Sequence, residues 1–291
     1  MDWLEITVVA APEDAEAVAD LLRMYSGSGI AIEGDGSRSL SLKAYLPRDS
    51  RLTARRRSLR QALSRVEVSR PLALPRGRTV HEEDWANAWK EHFRVQRIGR
   101  IVIRPPWRRY RARAGEMVIT LDPGMAFGTG QHPTTRMCLL ALQERLAPGE
   151  RVLDLGTGTG ILAIAAVLLG ASEVVALDID PLVVDIAKAN IAANGVGDKV
   201  SVAAGSLGAA WPFAGAQDPP FDCVVANIVS ATIVELAGGL VGSLRGGGIG
   251  IAGGISKERV DDCRWALADA GGRVSATMAE GDWRTLIFER A

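Results

Sequence analysis

The C-terminal half of the chain alternates apolar strands with helices, and this pattern limits the possible folds more than any other feature of the sequence. From residue 151 onward, short apolar runs that favour strands are separated by longer segments whose apolar residues recur at helical spacing. The predicted strands lie near residues 151–155, 173–178, 200–203, 222–227 and 248–252. The predicted helices lie near residues 160–169, 182–194, 231–244 and 257–270. Alternating strands and helices of this kind form a parallel sheet with helices on both faces.

The last part of the chain departs from this alternation. Residues 272–289 contain two strand-like segments on either side of Glu280-Gly281-Asp282, which predicts an antiparallel hairpin. Together with the five earlier strands, the hairpin gives a mostly parallel seven-stranded sheet of the Rossmann-like α/β class. Ligands of such sheets bind beyond the carboxyl ends of the strands, where the strand order reverses. We therefore expect the functional residues at that edge.

The first predicted strand leads directly into a glycine-rich turn, VLDLGTGTG at residues 152–160. Gly156, Gly158 and Gly160 let the backbone turn tightly and bring a ligand close to the main chain and to the amino end of the next helix. Asp154 offers a carboxylate to an amine. Asp178, at the end of the second strand, can accept hydrogen bonds from both hydroxyls of a ribose. These residues predict a site for a cofactor that carries a nucleoside and an amine.

The same turn also fits a dinucleotide-binding pattern, since GTGILA at residues 158–163 satisfies G-x-G-x-x-A. Three features argue against a dehydrogenase. The Asp154 carboxylate would repel a pyrophosphate, and Gly156 lies two residues before that pattern begins. No tyrosine four residues before a lysine follows to serve hydride transfer. A methyltransferase accounts better for the turn.

The fourth predicted strand ends in Asn227, within VVANI at residues 224–228. Methyltransferases that act on amines place a polar group here, beside the methyl donor. The amide oxygen of Asn227 could accept an N–H from the incoming amine and direct its lone pair at the methyl group. Asn227 is therefore the predicted catalytic residue. The alternative is an asparagine that only closes a turn at a strand end.

The first 75 residues predict a separate small domain. Their order of strand, helix, two short strands and an arginine-rich helix is typical of a ferredoxin-like α+β fold, and they show no catalytic constellation. Residues 76–114 are predicted to hold a joining helix, at 80–93, and a strand leading into the sheet domain. That domain then spans residues 115–291.

The joining helix begins with His81-Glu82, the start of the zinc-protease pattern H-E-x-x-H. Trp85 occupies the position of the second histidine, so no metal site is predicted. Trp85 and Trp89 are predicted to anchor a core, because residues four apart lie on the same face of a helix.

Charge is unevenly distributed, although the net charge is zero. Residues 1–114 carry 22 Lys and Arg against 14 Asp and Glu, whereas the remainder carries 12 against 20. The stretch from Arg51 to Arg78 holds nine arginines and one glutamate, Glu67. Two interpretations remain open: a solvated helix face with ion pairs, or a docking surface for an anionic partner.

Several absences in the sequence favour a cytoplasmic protein without a membrane contact. No apolar run approaches the roughly 18 uncharged residues of a membrane helix. The start, MDWLE, lacks the basic leader of an export signal. Cys138, Cys223 and Cys263 are far apart and odd in number, so they predict neither a disulfide framework nor a zinc knuckle.

The most specific motif is DPGMAFGTGQHPTT at residues 122–135. Together with VLDLGTGTGILAI (152–164), LDIDP (177–181) and VVANI, it closely resembles the bacterial ribosomal protein L-11 methyltransferase family, and the resemblance covers essentially the whole chain. It implies a class I methyltransferase that uses S-adenosylmethionine. The implied acceptors are lysine ε-amines and the N-terminal α-amine of that ribosomal protein.

The resemblance also implies residue roles. By motif position, the contacts with the donor fall on Thr135, Gly156, Asp178 and Asn227. Phe127 belongs to a loop expected to close over the site. The N-terminal domain is expected to recognise the substrate, and the basic helix from Arg51 to Arg65 could also contact ribosomal RNA.

One departure concerns adenine recognition. The third strand ends Ala204-Gly205-Ser206-Leu207, without the acid that often receives the adenine amino group. Backbone groups near Ser206 are therefore expected to do that work.

Catalysis on this interpretation requires mainly in-line placement. A lysine with a pKa of about 10.4 must lose its proton, and desolvation favours the neutral amine. Loss of the proton to water suffices, so no general base is predicted.

Two alternatives remain. An RNA amino methylase would stack a flipped base beside the strand-four motif, but Ile228-Val229-Ser230 offers neither a proline pair nor an aromatic ring. A binding module without catalysis would keep the glycine turn for packing alone.

Overall fold

The structure is a computed structural model that describes residues 3–26, 30–33, 39–49, 51–66, 68–69, 72, 76–80, 94–122, 128–213 and 220–291. The chain divides into two compact units, residues 1–93 and 94–291. Each unit has hydrophobic clusters of its own.

The N-terminal unit is an antiparallel sheet with two helices. Its elements are β1 (Trp3–Ala10), α1 (Ala15–Tyr25), β2 (Ala31–Glu33), β3 (Leu40–Pro47), α2 (Leu52–Leu63) and β4 (Arg76–Val80). The strand order is β2-β3-β1-β4, with every neighbouring pair antiparallel. These orders of elements and strands are those of a split β-α-β unit. Alternate residues of β1, Leu4, Ile6 and Val8, are buried in one cluster with Val18 and Leu22 of α1.

The small sheet extends beyond residue 75, where the sequence analysis ends the first domain. β4 pairs with β1 in a register that joins Trp3 to Val80. Val80, expected at the start of a helix, therefore ends a strand instead. Sequence patterns missed β4 because RGRTV lacks an alternation of apolar residues. The rest of the expected helix, residues 81–93, lies outside the described residues.

A three-stranded sheet opens the C-terminal unit. Its strands are β5 (Gln96–Ile98), β6 (Ile101–Arg104) and β7 (Met117–Thr120). β5 and β6 are antiparallel, whereas β6 and β7 are parallel. Gly99, with a φ of 56°, allows the tight turn between β5 and β6. The sequence analysis expected a single strand here, because strands of three or four residues carry little periodicity.

The large sheet confirms the predicted Rossmann-like class. Its helices and strands are α3 (Pro133–Arg145), β8 (Arg151–Leu155), α4 (Ile161–Leu168), β9 (Glu173–Asp178), α5 (Pro181–Ala193), β10 (Val200–Ala204), β11 (Phe221–Asn227), α6 (Ser230–Gly242), β12 (Leu244–Ser256), α7 (Val260–Asp269), β13 (Gly272–Glu280) and β14 (Trp283–Arg290). The strand order is β10-β9-β8-β11-β12-β14-β13. The first five strands are parallel and the last two antiparallel, as predicted.

β12 is longer than the predicted strand at 248–252. Leu244 pairs with Phe221, and the next paired residue of β12 is Ile249, opposite Cys223. The glycine-rich segment before Ile249 lies within this irregularity in register. Sequence patterns assign that segment to a loop.

Apolar side chains cover both faces of the sheet. One cluster lies on the side of α3 and α4, and the other on the side of α6 and α7. The strand order reverses between β8 and β11, so their carboxyl ends flank the switch point where ligands of such sheets bind.

Among the helices in the described ranges, none is both long and apolar enough to cross a bilayer. Cys138, Cys223 and Cys263 are all buried with free thiols.

Candidate active site

The glycine turn between β8 and α4 lies at the switch point, and its three glycines all have positive φ. The angles are 72° at Gly156, 56° at Gly158 and 83° at Gly160, a region that residues with a Cβ rarely adopt. A Cβ at Gly156 would also overlap the side chain of Ile228, which follows β11. The backbone conformation and the Ile228 side chain therefore both require glycine at residue 156. The close approach of a ligand to the main chain stays a prediction.

Asp178 connects the end of β9 to this turn. Its Oδ2 accepts a hydrogen bond from Gly158 N at 3.0 Å, and its Oδ1 accepts one from Asp180 N at 3.2 Å. The amides of Gly156 and Thr157 both donate to the Leu177 carbonyl, at 2.8 and 2.9 Å. Asp178 itself remains half-buried, so its carboxylate can accept further hydrogen bonds. Its contact with a ribose stays a prediction.

Asp154 is fully buried beneath the turn. Its Oδ2 accepts from Thr157 Oγ1 at 2.7 Å and from Ala163 N at 3.1 Å. Burial raises the pKa of the Asp154 carboxyl to about 7, and the neighbouring Asp178 adds to the rise against the lowering effect of these two bonds. No described group bonds Oδ1, which is therefore the atom left for the predicted contact with an amine.

Asn227 ends β11, and its side chain contacts α3. Nδ2 donates to Thr135 Oγ1 at 3.2 Å; Thr135 is fully buried and Asn227 is 9% exposed. A turn-closing asparagine would instead bond the adjacent backbone. Within the described part of the chain, Asn227 Oδ1 has no hydrogen-bond partner. The structure thus brings together two predicted site residues and leaves an acceptor oxygen available.

The first turn of α3, which carries Thr135, is fixed by contacts with the hairpin β13–β14. The ring of His132, the residue before the helix, lies edge-on to Trp283 with ring centroids 4.7 Å apart. Arg136 forms an ion pair with Glu280. These two contacts hold the Thr135 hydroxyl in place relative to the sheet.

Gly253 of β12 lies beside Asn227 in the register of the sheet. A Cβ at Gly253 would lie 2.5 Å from Cys138 Sγ and 3.1 Å from Asn227 Oδ1. Both distances are shorter than ordinary van der Waals contact. The Asn227 amide can therefore occupy its observed position only because Gly253 has no side chain.

The motif at residues 122–135 is tied to α5 and to the glycine turn. Asn190 Oδ1 accepts from Asp122 N at 2.9 Å, and Asn190 Nδ2 donates to the Asp122 carbonyl at 3.1 Å. The same Nδ2 donates to the Thr159 carbonyl at 2.9 Å. Thr159 Oγ1 donates to the Gly128 carbonyl at 2.7 Å. Both flanks of the motif's central segment are thereby anchored next to the turn.

Asn190 was not among the site residues predicted from the sequence. A signal was available, because helical spacing places Asn190 on the same face as Val184, Ala187 and Ile191, a face that is otherwise apolar. A buried asparagine there needs hydrogen-bond partners. Phe127, predicted to close over the site, belongs to residues 123–127, which lie outside the described residues.

In the loop after β10, where backbone groups were expected to bind adenine, two amides are already hydrogen-bonded. Ser206 N donates to the Ala210 carbonyl at 3.0 Å, and Gly205 N donates to the Asp178 carbonyl at 2.8 Å. Adenine recognition by the Ser206 amide would therefore require this bond to be exchanged. The other backbone groups of the loop remain candidates.

Comparison with known proteins decides the family. The sequence matches the family described as Ribosomal protein L11 methyltransferase (PrmA) over residues 2–291. The chain belongs to this family. The resemblance inferred from the motif at residues 122–135 and from the glycine turn is thus confirmed.

Individual relatives agree with this assignment. The ribosomal protein L11 methyltransferase of Chloroflexus aurantiacus is 40% identical over 99% of this chain and 98% of its own length. That of Pelotomaculum thermopropionicum is 40% identical over 98% of each chain. The crystal structure of the ribosomal protein L11 methylase from Lactobacillus delbrueckii subsp. bulgaricus superposes with a TM-score of 0.62 at 33% identity, covering 68% of this chain and 99% of that one.

Proposed function

We propose that this chain transfers methyl groups from S-adenosylmethionine to amines of ribosomal protein L11, namely lysine ε-amines and the N-terminal α-amine. The observation that carries the proposal is the Asn227 side chain at the switch point. Its Nδ2 is held by Thr135, while its buried Oδ1 has no partner among the described residues. The names of the full-length relatives support the choice of substrate.

The described residues fit the proposed donor. The half-buried Gly156 lies in the turn before the amino end of α4, and the half-buried Asp178 offers a carboxylate at the end of the next strand. Asp154 Oδ1 remains as an acceptor near the turn. When bound, S-adenosylmethionine supplies a methyl group on a sulfonium that is already an activated leaving group.

The protein's own task is to place the acceptor amine. Asn227 Oδ1 accepts one N–H and so turns the nitrogen lone pair toward the methyl group. Desolvation of the bound amine disfavours the charged ammonium, so the amine loses its proton to water before transfer. A site built on placement accepts several lysines and repeated methylation.

Substrate selection belongs, in this proposal, to the N-terminal unit. That unit carries no part of the glycine turn, Asp178 or Asn227. On α2, Arg56, Arg57 and Arg60 are exposed, and they suit contact with ribosomal RNA beside the substrate protein. A cytoplasmic location completes the proposal, supported by three buried cysteines with free thiols.

The test is transfer of tritium from labelled S-adenosylmethionine to a mixture of ribosomal protein L11 and ribosomal RNA. Label in the protein supports the proposal, whereas label in the RNA assigns the enzyme to RNA amino methylation. Asn227→Ala is the matched variant, and it should lose turnover while calorimetry shows the donor still bound. Loss of donor affinity with normal turnover at saturation would reverse the role of Asn227.

A further inference from the structure

The connection between β6 and β7 carries an arginine cluster that the active site does not use. Arg108, Arg109, Arg111 and Arg113 are all exposed. No acidic residue occurs between residues 94 and 115. This connection, residues 105–116, is called the arginine loop below.

The guanidinium groups of the four arginines form no ion pair with an acid among the residues that the structure describes, although the backbone amide of Arg113 donates to Glu116 Oε2 at 2.8 Å. Several other arginines of the same unit form ion pairs with acids. Such pairs are Arg97–Glu116, Arg136–Glu280, Arg151–Glu173, Arg245–Asp222, Arg259–Asp262 and Arg273–Glu289. The arginine loop thus presents four charges that its own unit does not neutralise.

The backbone of the arginine loop is held in shape although it has no regular secondary structure. Tyr110 donates through its hydroxyl to Glu116 Oε2 at 2.6 Å, and Arg97 donates to the Tyr110 hydroxyl at 2.8 Å and to Glu116 Oε1 at 2.9 Å. Arg104 Nη1 donates to the Arg108 carbonyl at 3.0 Å. Because these bonds fix the backbone of the loop, ordering that backbone adds little to the conformational entropy lost on binding.

We infer that the arginine loop binds the phosphate backbone of RNA. A guanidinium can hold a phosphate with two parallel hydrogen bonds, and four exposed cations close together in sequence, none of them in an ion pair, match a ligand with one negative charge per repeating unit. The choice of RNA over DNA rests on the proposed function, since a ribosomal protein meets RNA. The loop lies in the unit that holds the methyl-transfer site, separately in sequence from the basic helix α2.

The experiment measures binding of a fluorescent ribosomal RNA fragment to the full chain over a series of salt concentrations, without a methyl donor. The variant replaces Arg108, Arg109, Arg111 and Arg113 by Gln. We expect affinity to fall at least tenfold at low salt. The slope of log affinity against log salt concentration should fall by about 3, since each phosphate contact contributes roughly 0.7–0.9.

Two further variants make this result specific. Replacing the same four arginines by Lys should retain most of the RNA binding. A control replaces Arg259, Arg264, Arg273 and Arg284 by Gln, which removes the same charge elsewhere, and its affinity should stay within about threefold of the parent. Calorimetric titration with S-adenosylmethionine checks that each variant is folded.

Equal losses in the loop variant and the control would overturn the inference, because net charge alone would then explain binding. An unchanged salt slope in the loop variant would do the same. Displacement of the RNA by poly-glutamate at equal charge concentration would assign the surface to an acidic protein instead. The binding experiment contains no methyl donor. A failure of the arginine loop to bind RNA would therefore not bear on the proposed methyl transfer.

Discussion

The carboxylate of Asp178 accepts a hydrogen bond from the glycine turn and remains half-buried at the end of β9. We predict that Asp178→Ala raises the dissociation constant for S-adenosylmethionine at least tenfold, because hydrogen bonds to a charged group contribute about 1.5–3 kcal/mol each. Calorimetric titration measures the constant. Asp180→Ala is the control, since this carboxylate is exposed and only caps α5 through the Leu182 amide. Unchanged affinity in Asp178→Ala would show that the ribose lies elsewhere.

Gly253 offers a way to move the Asn227 amide without removing it. A methyl group at this position would lie 3.1 Å from Asn227 Oδ1, so we predict that Gly253→Ala lowers turnover more than it lowers donor affinity. The control is Gly246→Ala on the same strand, where a Cβ meets nothing within 4 Å. The measurement is kcat at saturating donor alongside the calorimetric constant. Equal turnover in the two variants would show that Gly253 does not determine the position of the Asn227 amide.

Asp154 should give the protein a stability that depends on pH. Its pKa rises from 3.8 to about 7 on folding, chiefly through burial. The folded state therefore holds a proton that the unfolded state has released between these values, so this contribution to stability falls as pH rises from about 4 through 7. The full effect is on the order of 4 kcal/mol.

The variant Asp154→Asn should lose this dependence, because its amide does not titrate. The measurement is the urea midpoint of each protein, without donor, at pH 5 and pH 8. We expect the parent to lose more stability than the variant between the two values. Parallel pH profiles would mean that Asp154 is not protonated in the folded protein at pH 5.

At the scale of elements, α5 holds the motif at residues 122–135 against the glycine turn. Asn190→Ala removes the hydrogen bonds to Asp122 and to the Thr159 carbonyl, and it leaves buried groups unpaired at a cost of about 1–3 kcal/mol. We predict weaker donor binding together with a lower urea midpoint. Lys188→Ala on the exposed face of the same helix should change neither. Parent-like donor affinity in Asn190→Ala would show that this anchoring does not matter for the site.

The sequence predicted the large sheet well because its strands and helices have strong, regular periodicity. The bounds of β8 and β9 agree with the predicted ranges to the residue. Prediction from the sequence failed where elements are short or carry few apolar residues, as in β4 and the small sheet of β5, β6 and β7. The glycine-rich start of β12 was missed for a related reason, since a strand without side chains has no pattern.

The parts of the candidate site that lie within one local motif were predictable from the sequence. The positive φ angles of the glycine turn follow from the residue type. The contact between Asn227 and Thr135 joins positions 92 apart, and no local pattern specifies such a distance. Asn190 was missed because its partners are backbone groups of other segments, which become visible only once the chain is folded.

At the scale of the whole molecule, the boundary between the two units, after residue 93, separates proposed substrate recognition from proposed donor binding. We predict that a fragment of residues 94–291 binds S-adenosylmethionine but methylates ribosomal protein L11 much more slowly than the full chain. The cut follows residue 93 because a fragment beginning at residue 76 would retain β4 without its partner β1.

Calorimetry and a methylation assay test the two properties separately in this fragment. Methylation at the full-length rate would remove substrate recognition from the N-terminal unit. A fragment that folds, by circular dichroism, but fails to bind the donor would contradict the proposed division of tasks, since donor binding would then need both units.

The central claim is methyl transfer to amines of ribosomal protein L11. The most direct measurement is mass spectrometry of purified ribosomal protein L11 after incubation with the full chain and S-adenosylmethionine, with Asn227→Ala in parallel. We expect mass increases in whole methyl groups, mapped to lysine side chains and the N-terminal amine, and little increase with the variant. An unmodified ribosomal protein under conditions where calorimetry shows the donor bound would contradict it.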